Sequence, residues 1–201
     1  MGAATLEFYV EVLNDALGLL SDAGADHLVI GSVATKCLLS QPLDPAEDMD
    51  VLIRHRDADK LLDVFSRRGY ATHRRDPRWI YKAARPDVTI DLIFRAGESI
   101  ELDEQHLARA TTRETEGIPL PVPAPEDLLI MKAVFDRYDR PGRWYDAISL
   151  MRHLPMDWEY LAQRGRELAP RRVLSLLPYA ADSRISIPEM ALSRLELEKH
   201  S

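Results

Sequence analysis

Apolar positions recur every three or four residues at Leu6, Val10, Leu13, Leu17 and Leu20, which predicts an amphipathic helix over Thr5–Asp22 with Gly24 placed to end it. A short apolar run, His27–Ile30, follows and stops at Gly31-Ser32, after which Val33–Leu39 has helical spacing. The local order is therefore strand, glycine turn, helix. Alternation returns at Met49–Arg54, predicting a second strand. Ala58–Arg68 then reads as a helix with Asp57 in capping position and Gly69 at its end. Three further strands are expected at Tyr70–Arg74, Trp79–Ala84 and Val88–Arg95.

The pattern changes at Gly117. Gly117–Pro125 holds four of the thirteen prolines and reads as a linker, and beyond it every periodic segment is helical. The expected helices are Glu126–Tyr138, Arg143–His153, Asp157–Leu168, Arg171–Ala181 and Pro188–Lys199. This order predicts an α/β (α+β) protein: a core domain, 1–116, with a mixed and mainly antiparallel sheet flanked by helices, then a helical C-terminal region, 117–201, packed on it.

Composition narrows the class. The 201 residues are 46% hydrophobic and 29% charged, as expected of a globular chain able to build its own core. No apolar run approaches the roughly 18 residues of a membrane span, and Glu7, Glu11 and Asp15 stand where a signal peptide wants basic charge. A cytoplasmic protein with no membrane partner is the expectation. The single cysteine, Cys37, lies in an apolar helical stretch and reads as core. Net charge is -7, yet Arg54–Arg85 carries ten Lys/Arg against four Asp/Glu, a local +6 on a remainder of -13. A basic patch on an acidic body favours a specific anionic ligand over general coating of nucleic acid.

The candidate chemistry lies in the strands. Asp48 and Asp50 are two apart, about 6.6 Å along a strand, and so share one face, while Met49, Val51 and Ile53 take the other. In Val88–Arg95, Val88, Ile90, Leu92 and Phe94 form an apolar face that Asp91 opposes. Three carboxylates on adjacent strands repel unless a cation lies among them, and hard oxygen donors suit Mg²⁺ or Mn²⁺. Two such ions about 3.5–4 Å apart are the usual device of phosphoryl and nucleotidyl transfer. Gly31-Ser32, at a strand-to-helix turn, lets a phosphate approach the backbone. The chain carries no Walker A motif, dinucleotide fingerprint or Gly-x-Ser-x-Gly elbow, and His55-Arg56-Asp57 lacks the surroundings of a kinase catalytic loop.

Read together, LVIGS, DMDVLI and TIDLIF resemble the DNA polymerase beta-like nucleotidyltransferase superfamily. The stretch GIPLPVPAPEDLLIMKAVFDRYDRPGRWYDAISL is similar to the Pro-Glu-Asp-Leu, Lys and (Lys/Arg)-x-x-Asp helices of small bacterial members, abortive-infection-type toxins among them. The resemblance spans residues 28–150. It implies an Mg²⁺-dependent (or Mn²⁺-dependent) nucleotidyltransferase that moves an NMP from NTP, such as ATP, to an acceptor hydroxyl and releases pyrophosphate. It implies that Asp48, Asp50 and Asp91 hold metal, that Gly31 and Ser32 hold the triphosphate, and that Lys132 contacts nucleotide phosphate with Asp146 orienting it. An antitoxin partner is a further implication. Two features depart from the family pattern: fifteen residues separate Ser32 from Asp48, and Pro45-Ala46-Glu47 replaces the usual basic and hydroxyl residues, which bears on acceptor choice. The arginines at 67, 68, 74, 75 and 78, with Trp79 or Tyr81 as a stacking platform, slightly favour an RNA or tRNA acceptor over a protein or small molecule. The rival reading is a noncatalytic nucleotide- or partner-binding module that keeps the fold.

Overall fold

The computed structural model describes residues 4–97, 100–135 and 142–196. Its chain divides into two compact units, one made of 1–96 with 101–123, the other of 97–100 with 124–201.

The first unit opens with α1 (Leu6–Asp22). The Thr5 hydroxyl accepts from the Phe8 N–H at 3.2 Å and satisfies one of the donors that a helix start leaves open. At the other end Gly24 takes φ +65°, its N–H donates to Ser21 O at 2.9 Å, and the Ala25 N–H donates to Leu20 O at 3.1 Å. This paired closure needs a left-handed residue, which glycine supplies. The buried stripe is Tyr9, Val12, Leu13, Ala16, Leu17 and Leu20, whereas Leu6, placed on the apolar face by the sequence pattern, is 40% exposed. A helix face is filled at i+3 and i+4 alike, so Tyr9, Val12 and Ala16 complete what the leucine spacing only outlined.

After β1 (His27–Val29) and α2 (Gly31–Leu38) come β2 (Met49–Ile53), a 3₁₀ turn at His55–Asp57 and α3 (Ala58–Arg67). Asp57 stands at the start of α3, but its side chain makes no capping bond there, contrary to expectation, because the chain enters through the 3₁₀ turn. The strands β3 (Ala71–Asp76), β4 (Ile80–Arg85) and β5 (Val88–Ile93) complete a five-stranded sheet of order β1-β2-β5-β4-β3. Only β2 and β5 run parallel; the other neighbours are antiparallel. The sheet is thus mixed and mainly antiparallel, as expected. Met49, Val51 and Ile53 are fully buried, and so is Leu52 on the aspartate side of β2, so both faces carry core.

A short α4 (Glu104–Arg109) precedes the two-stranded ribbon of β6 (Thr111–Thr115) and β7 (Ile118–Val122). Here the structure departs from the expected linker: residues 118–122 form a strand, with Ile118, Leu120 and Val122 buried and Pro119 exposed. Proline tolerates strands that need few ladder bonds, and a two-stranded ribbon is such a place.

The second unit consists of α5 (Pro125–Phe135), α6 (Gly142–His153), α7 (Trp158–Leu168), α8 (Pro170–Asp182) and α9 (Glu189–Glu196). The expected helical ends at 136–138 and 197–199 lie outside the described residues. Glu126 and Asp127, both buried, bind α5 to α7: the Asp157 N–H donates to Glu126 Oε1 at 2.6 Å, and the Tyr160 hydroxyl lies 3.0 Å from each Asp127 oxygen. Arg164, also buried, places its Nε 3.6 Å from Asp127. The Pro-Glu-Asp segment is therefore the internal tie of the helical unit. No helix among the described residues is long and apolar enough to cross a membrane.

Candidate active site

Strand register gathers the chemistry. In the parallel pairing of β2 with β5, Asp50 stands opposite Asp91, and in the antiparallel pairing of β5 with β4, Asp91 stands opposite Lys82. Register partners project to the same side of a sheet, so Asp50, Asp91 and Lys82 form one row across three strands. Asp48, two residues before Asp50, points the same way.

Each member is held from behind. The loop leading to Asp48 is set by a turn in which Asp44 Oδ1 accepts from the Ala46 N–H at 3.0 Å and Asp44 O accepts from the Glu47 N–H at 3.0 Å. Glu47, one of the residues that departs from the family pattern, ion-pairs with Lys36 of α2 at 3.0 Å. Gly31 has φ +68°, and a Cβ built there would collide with the Asp50 carboxylate, which lies directly on the glycine backbone. Only glycine meets both demands, a left-handed backbone and a carboxylate packed on its Cα. The Ile30 N–H donates to Asp50 O at 2.9 Å, and the Thr35 hydroxyl donates to Gly31 O at 2.8 Å, which fixes this turn against β2. Ser32, beside Gly31 in the first turn of α2, is half-buried.

Lys82 was not singled out in the sequence, yet it meets two of these carboxylates. Its Nζ donates to Asp91 Oδ1 at 2.6 Å and Oδ2 at 2.8 Å and lies 3.7 Å from Asp48 Oδ2. Burial pushes the Asp91 carboxyl above its ordinary value, Lys82 pulls it back, and Asp48 adds repulsion; the net direction is upward. Its sequence signal was present in the hairpin: a two-residue connection, Pro86-Asp87, fixes the register that sets 82 opposite 91.

No group of three or more His, Cys, Asp or Glu side chains among the described residues is drawn together as a metal cluster. Asp91 meets the ammonium, and Asp50 rests on Gly31. In kind, Asp48, Asp50 and Asp91 are the hard oxygen donors that a divalent ion takes, and they lie on neighbouring strands; both oxygens of Asp91 accept from the Lys82 ammonium.

Lys132 and Asp146 belong to the second unit. They form the expected pair, Nζ to Oδ2 at 2.5 Å, with the lysine buried. Of the basic stretch, Arg68 pairs with Asp15, Arg74 with Asp59 and Arg78 with Asp76, each at 2.7–2.8 Å. Tyr81, expected as a stacking platform, is 5% exposed and packs edge-on against Phe94, so its ring is part of the core.

A family model described as an uncharacterised nucleotidyltransferase matches residues 13–185, and the chain belongs to that family. Solved structures share the fold. The solution structure of the antibiotic-resistance factor ANT(2'')-Ia superposes with a TM-score of 0.58 at 13% identity, covering 90% of this chain and 97% of that one. The lincomycin-bound lincosamide adenylyltransferase LnuA gives 0.54 at 12% identity, over 74% of this chain and 98% of that one. An antigenic nucleotidyltransferase-like protein from Paracoccidioides brasiliensis gives 0.58 at 19% identity, over 97% and 95%. No curated protein matches the chain in sequence.

Proposed function

We propose that the protein transfers a nucleoside monophosphate from NTP to an acceptor hydroxyl, releasing pyrophosphate, in a reaction dependent on Mg²⁺ or Mn²⁺. One observation carries the reading: Asp50 and Asp91 stand side by side in register, with Asp48 on the same face and a glycine turn under Asp50. Asp48, Asp50 and Asp91 are the residues that would hold the ion. When bound, a divalent cation offsets triphosphate charge and acidifies an acceptor hydroxyl. The protein's own part is positional. The α2 start, where Gly31 removes side-chain bulk, offers backbone N–H groups to phosphate oxygens beside Asp50, while Asp91, the middle member of the row and held by Lys82, is proposed to take the acceptor side. Lys132, aligned by Asp146, is proposed as a contact to nucleotide phosphate.

For the acceptor we favour a small hydroxylated molecule. Three of the five arginines that would track an RNA backbone pair with the protein's own carboxylates, and of the two stacking candidates Tyr81 lies in the core and Trp79 is half-buried. The lincosamide adenylyltransferase and the antibiotic-resistance factor that share the fold agree with this choice.

The test is pyrophosphate release with each labelled NTP, Mg²⁺ and three acceptor pools: RNA, protein and small molecules. Label should enter the small-molecule pool. Asp48→Asn and Asp50→Asn, nearly isosteric but poor ligands for a hard ion, should each lower the rate at least tenfold, about 1.4 kcal/mol of barrier. Label in RNA, lost steeply between about 50 and 200 mM salt, would instead identify a nucleic-acid acceptor. Metal-independent NTP binding with no pyrophosphate from any pool identifies a noncatalytic module.

A further inference from the structure

Phe8, Glu11, Val12 and Asp15, spaced along one face of α1, line one side of a cavity of about 550 Å³, and Arg68, Tyr70, Arg85 and Pro86 line the other. The second wall is set by strand register: Ala71 of β3 pairs with Ala84 of β4, which brings Tyr70 and Arg85, each one residue beyond, together. Asp48, Asp50, Lys82 and Asp91 are not among the lining residues, and the volume is that of a small-molecule site. We propose that this cavity binds a free α-amino acid with a large apolar side chain, its carboxylate on Arg85 and its ammonium on Glu11.

The lining charges sum to zero, two carboxylates and two guanidiniums, yet they do not pair off two by two. Asp15 is taken up on both oxygens: Arg68 donates to Oδ1 from Nε at 3.0 Å and Nη2 at 2.7 Å, and the Tyr70 hydroxyl donates to Oδ2 at 3.0 Å. That leaves Arg85 and Glu11. Arg85 is half-buried, with its guanidinium 4.4 Å over the Tyr70 ring, Nη2 donating to Arg68 O at 2.8 Å and Nη1 to Gly69 O at 3.4 Å. These contacts aim the group without neutralising it, since a ring and two carbonyls carry no net charge, and no carboxylate among the described residues forms an ion pair with it. Glu11 likewise has no ion pair or hydrogen bond among the described residues. The cavity therefore offers an unanswered cation on its sheet side and an unanswered anion on its helix side. A simple anion would be repelled by Glu11 and a simple cation by Arg85, whereas a zwitterion answers both. Phe8, Val12, Pro86 and the Tyr70 ring supply the apolar surface that a large side chain would cover.

The experiment takes the two charges off the ligand one at a time. Three probes are titrated into the native chain, with amide resonance shifts as the readout: L-phenylalanine, 3-phenylpropanoate, which lacks the ammonium, and phenethylamine, which lacks the carboxylate. L-phenylalanine should bind with a Kd of about 1 mM or below, and each single-charge analogue at least about tenfold more weakly. Arg85→Met and Glu11→Gln, with circular dichroism reporting folding, should each weaken L-phenylalanine by about the same factor. Arg85→Met should leave phenethylamine no weaker than on the native chain, and Glu11→Gln should do the same for 3-phenylpropanoate. No binding of L-phenylalanine up to about 20 mM overturns the proposal. An analogue that binds as tightly as L-phenylalanine also overturns it, by showing a plain anion or cation site, and that comparison needs no variant to fold. Undiminished affinity for L-phenylalanine in both folded variants places its binding elsewhere and overturns the assignment to this cavity. Each of these outcomes leaves the nucleotidyltransferase reading untouched.

Discussion

The two lysine–aspartate pairs, one in each unit, are built inside out relative to each other. In the sheet unit the carboxylate is buried and the ammonium wet, with side-chain exposures of 10% for Asp91 and 32% for Lys82. In the helical unit the ammonium is buried and the carboxylate wet, 5% for Lys132 and 30% for Asp146. A buried charge needs a partner always; a half-exposed one can be released to water. The sheet pair therefore keeps a carboxylate permanently in need of a cation, and the helical pair keeps an ammonium permanently in need of an anion. Each pair thus holds one charge that solvent alone does not satisfy.

The largest expected effect comes from breaking each pair at its exposed member. Removing one partner of a buried pair costs about 3–5 kcal/mol, and less where water reaches the remaining group. Lys82→Met and Asp146→Ala, which strand the buried charge, should therefore each destabilise by about 2–3 kcal/mol in urea unfolding. Asp91→Asn and Lys132→Met, which remove the buried charge itself, should cost about half as much. Equal losses from both members of a pair would erase the contrast.

The helical pair makes a second, smaller prediction. If Lys132 serves phosphate, Lys132→Met should raise the NTP dissociation constant about tenfold, roughly 1.4 kcal/mol, while an Asp146→Asn variant that still folds should bind NTP nearly as the native chain does. Titration calorimetry beside thermal melting decides this. Unchanged affinity with a lowered melting temperature assigns Lys132 to structure alone.

How much of this contrast was readable in the sequence depends on what each residue interrupts. Asp50 and Asp91 break an apolar alternation, so a period of two exposes them. Lys132 lies among Leu128, Leu129, Met131 and Val134, and a charge in such a run demands a partner. Lys82 interrupts nothing so plainly: its strand, Ile80–Arg85, alternates weakly, and its meaning comes only from the register of a hairpin. The β6–β7 ribbon was hidden for a related reason. Thr111–Thr115 is almost wholly exposed, and Pro119 and Pro121 mimic a linker, so the burial of Ile118, Leu120 and Val122 is a tertiary fact. The pairing within the basic stretch was hidden too, because charge counts do not show which arginine meets which carboxylate.

A third pair extends the series to partners that are both wet. Asp15 accepts from Arg68 at 2.7 and 3.0 Å and from the Tyr70 hydroxyl at 3.0 Å. Burial alone would raise its carboxyl, but these bonds outweigh it and hold the group below its ordinary 3.8. A carboxylate lowered on folding contributes stability above its unfolded value, and that contribution disappears as pH falls through the folded one. Native protein should then lose stability faster than Asp15→Asn as pH drops from about 5 to 2, with little difference at neutral pH beyond a constant offset. Parallel acid limbs in denaturant titrations would show that the pair contributes nothing.

The series ends at a polar group with no partner. Tyr9 is fully buried in α1, and among the described residues its hydroxyl has no hydrogen-bond partner. Burial, then the negative charges of Glu47, Asp48, Asp44 and Asp50, hold the phenol well above its ordinary value, so it stays a neutral donor at every working pH. A buried hydroxyl without an acceptor costs about 1–3 kcal/mol of desolvation, part of which the ring's packing offsets. Tyr9→Phe keeps the ring and deletes the cost, so it should stabilise the protein, by about 0.5–1 kcal/mol in urea. The sign is what matters. Lysine or aspartate removal from the two pairs lowers stability because a charge loses its partner, whereas this hydroxyl has none to lose. A loss of stability in Tyr9→Phe would mean that the phenol donates in solution to one of the nearby carboxylates, and Tyr9 would then join Lys82 among the residues that orient the acidic row.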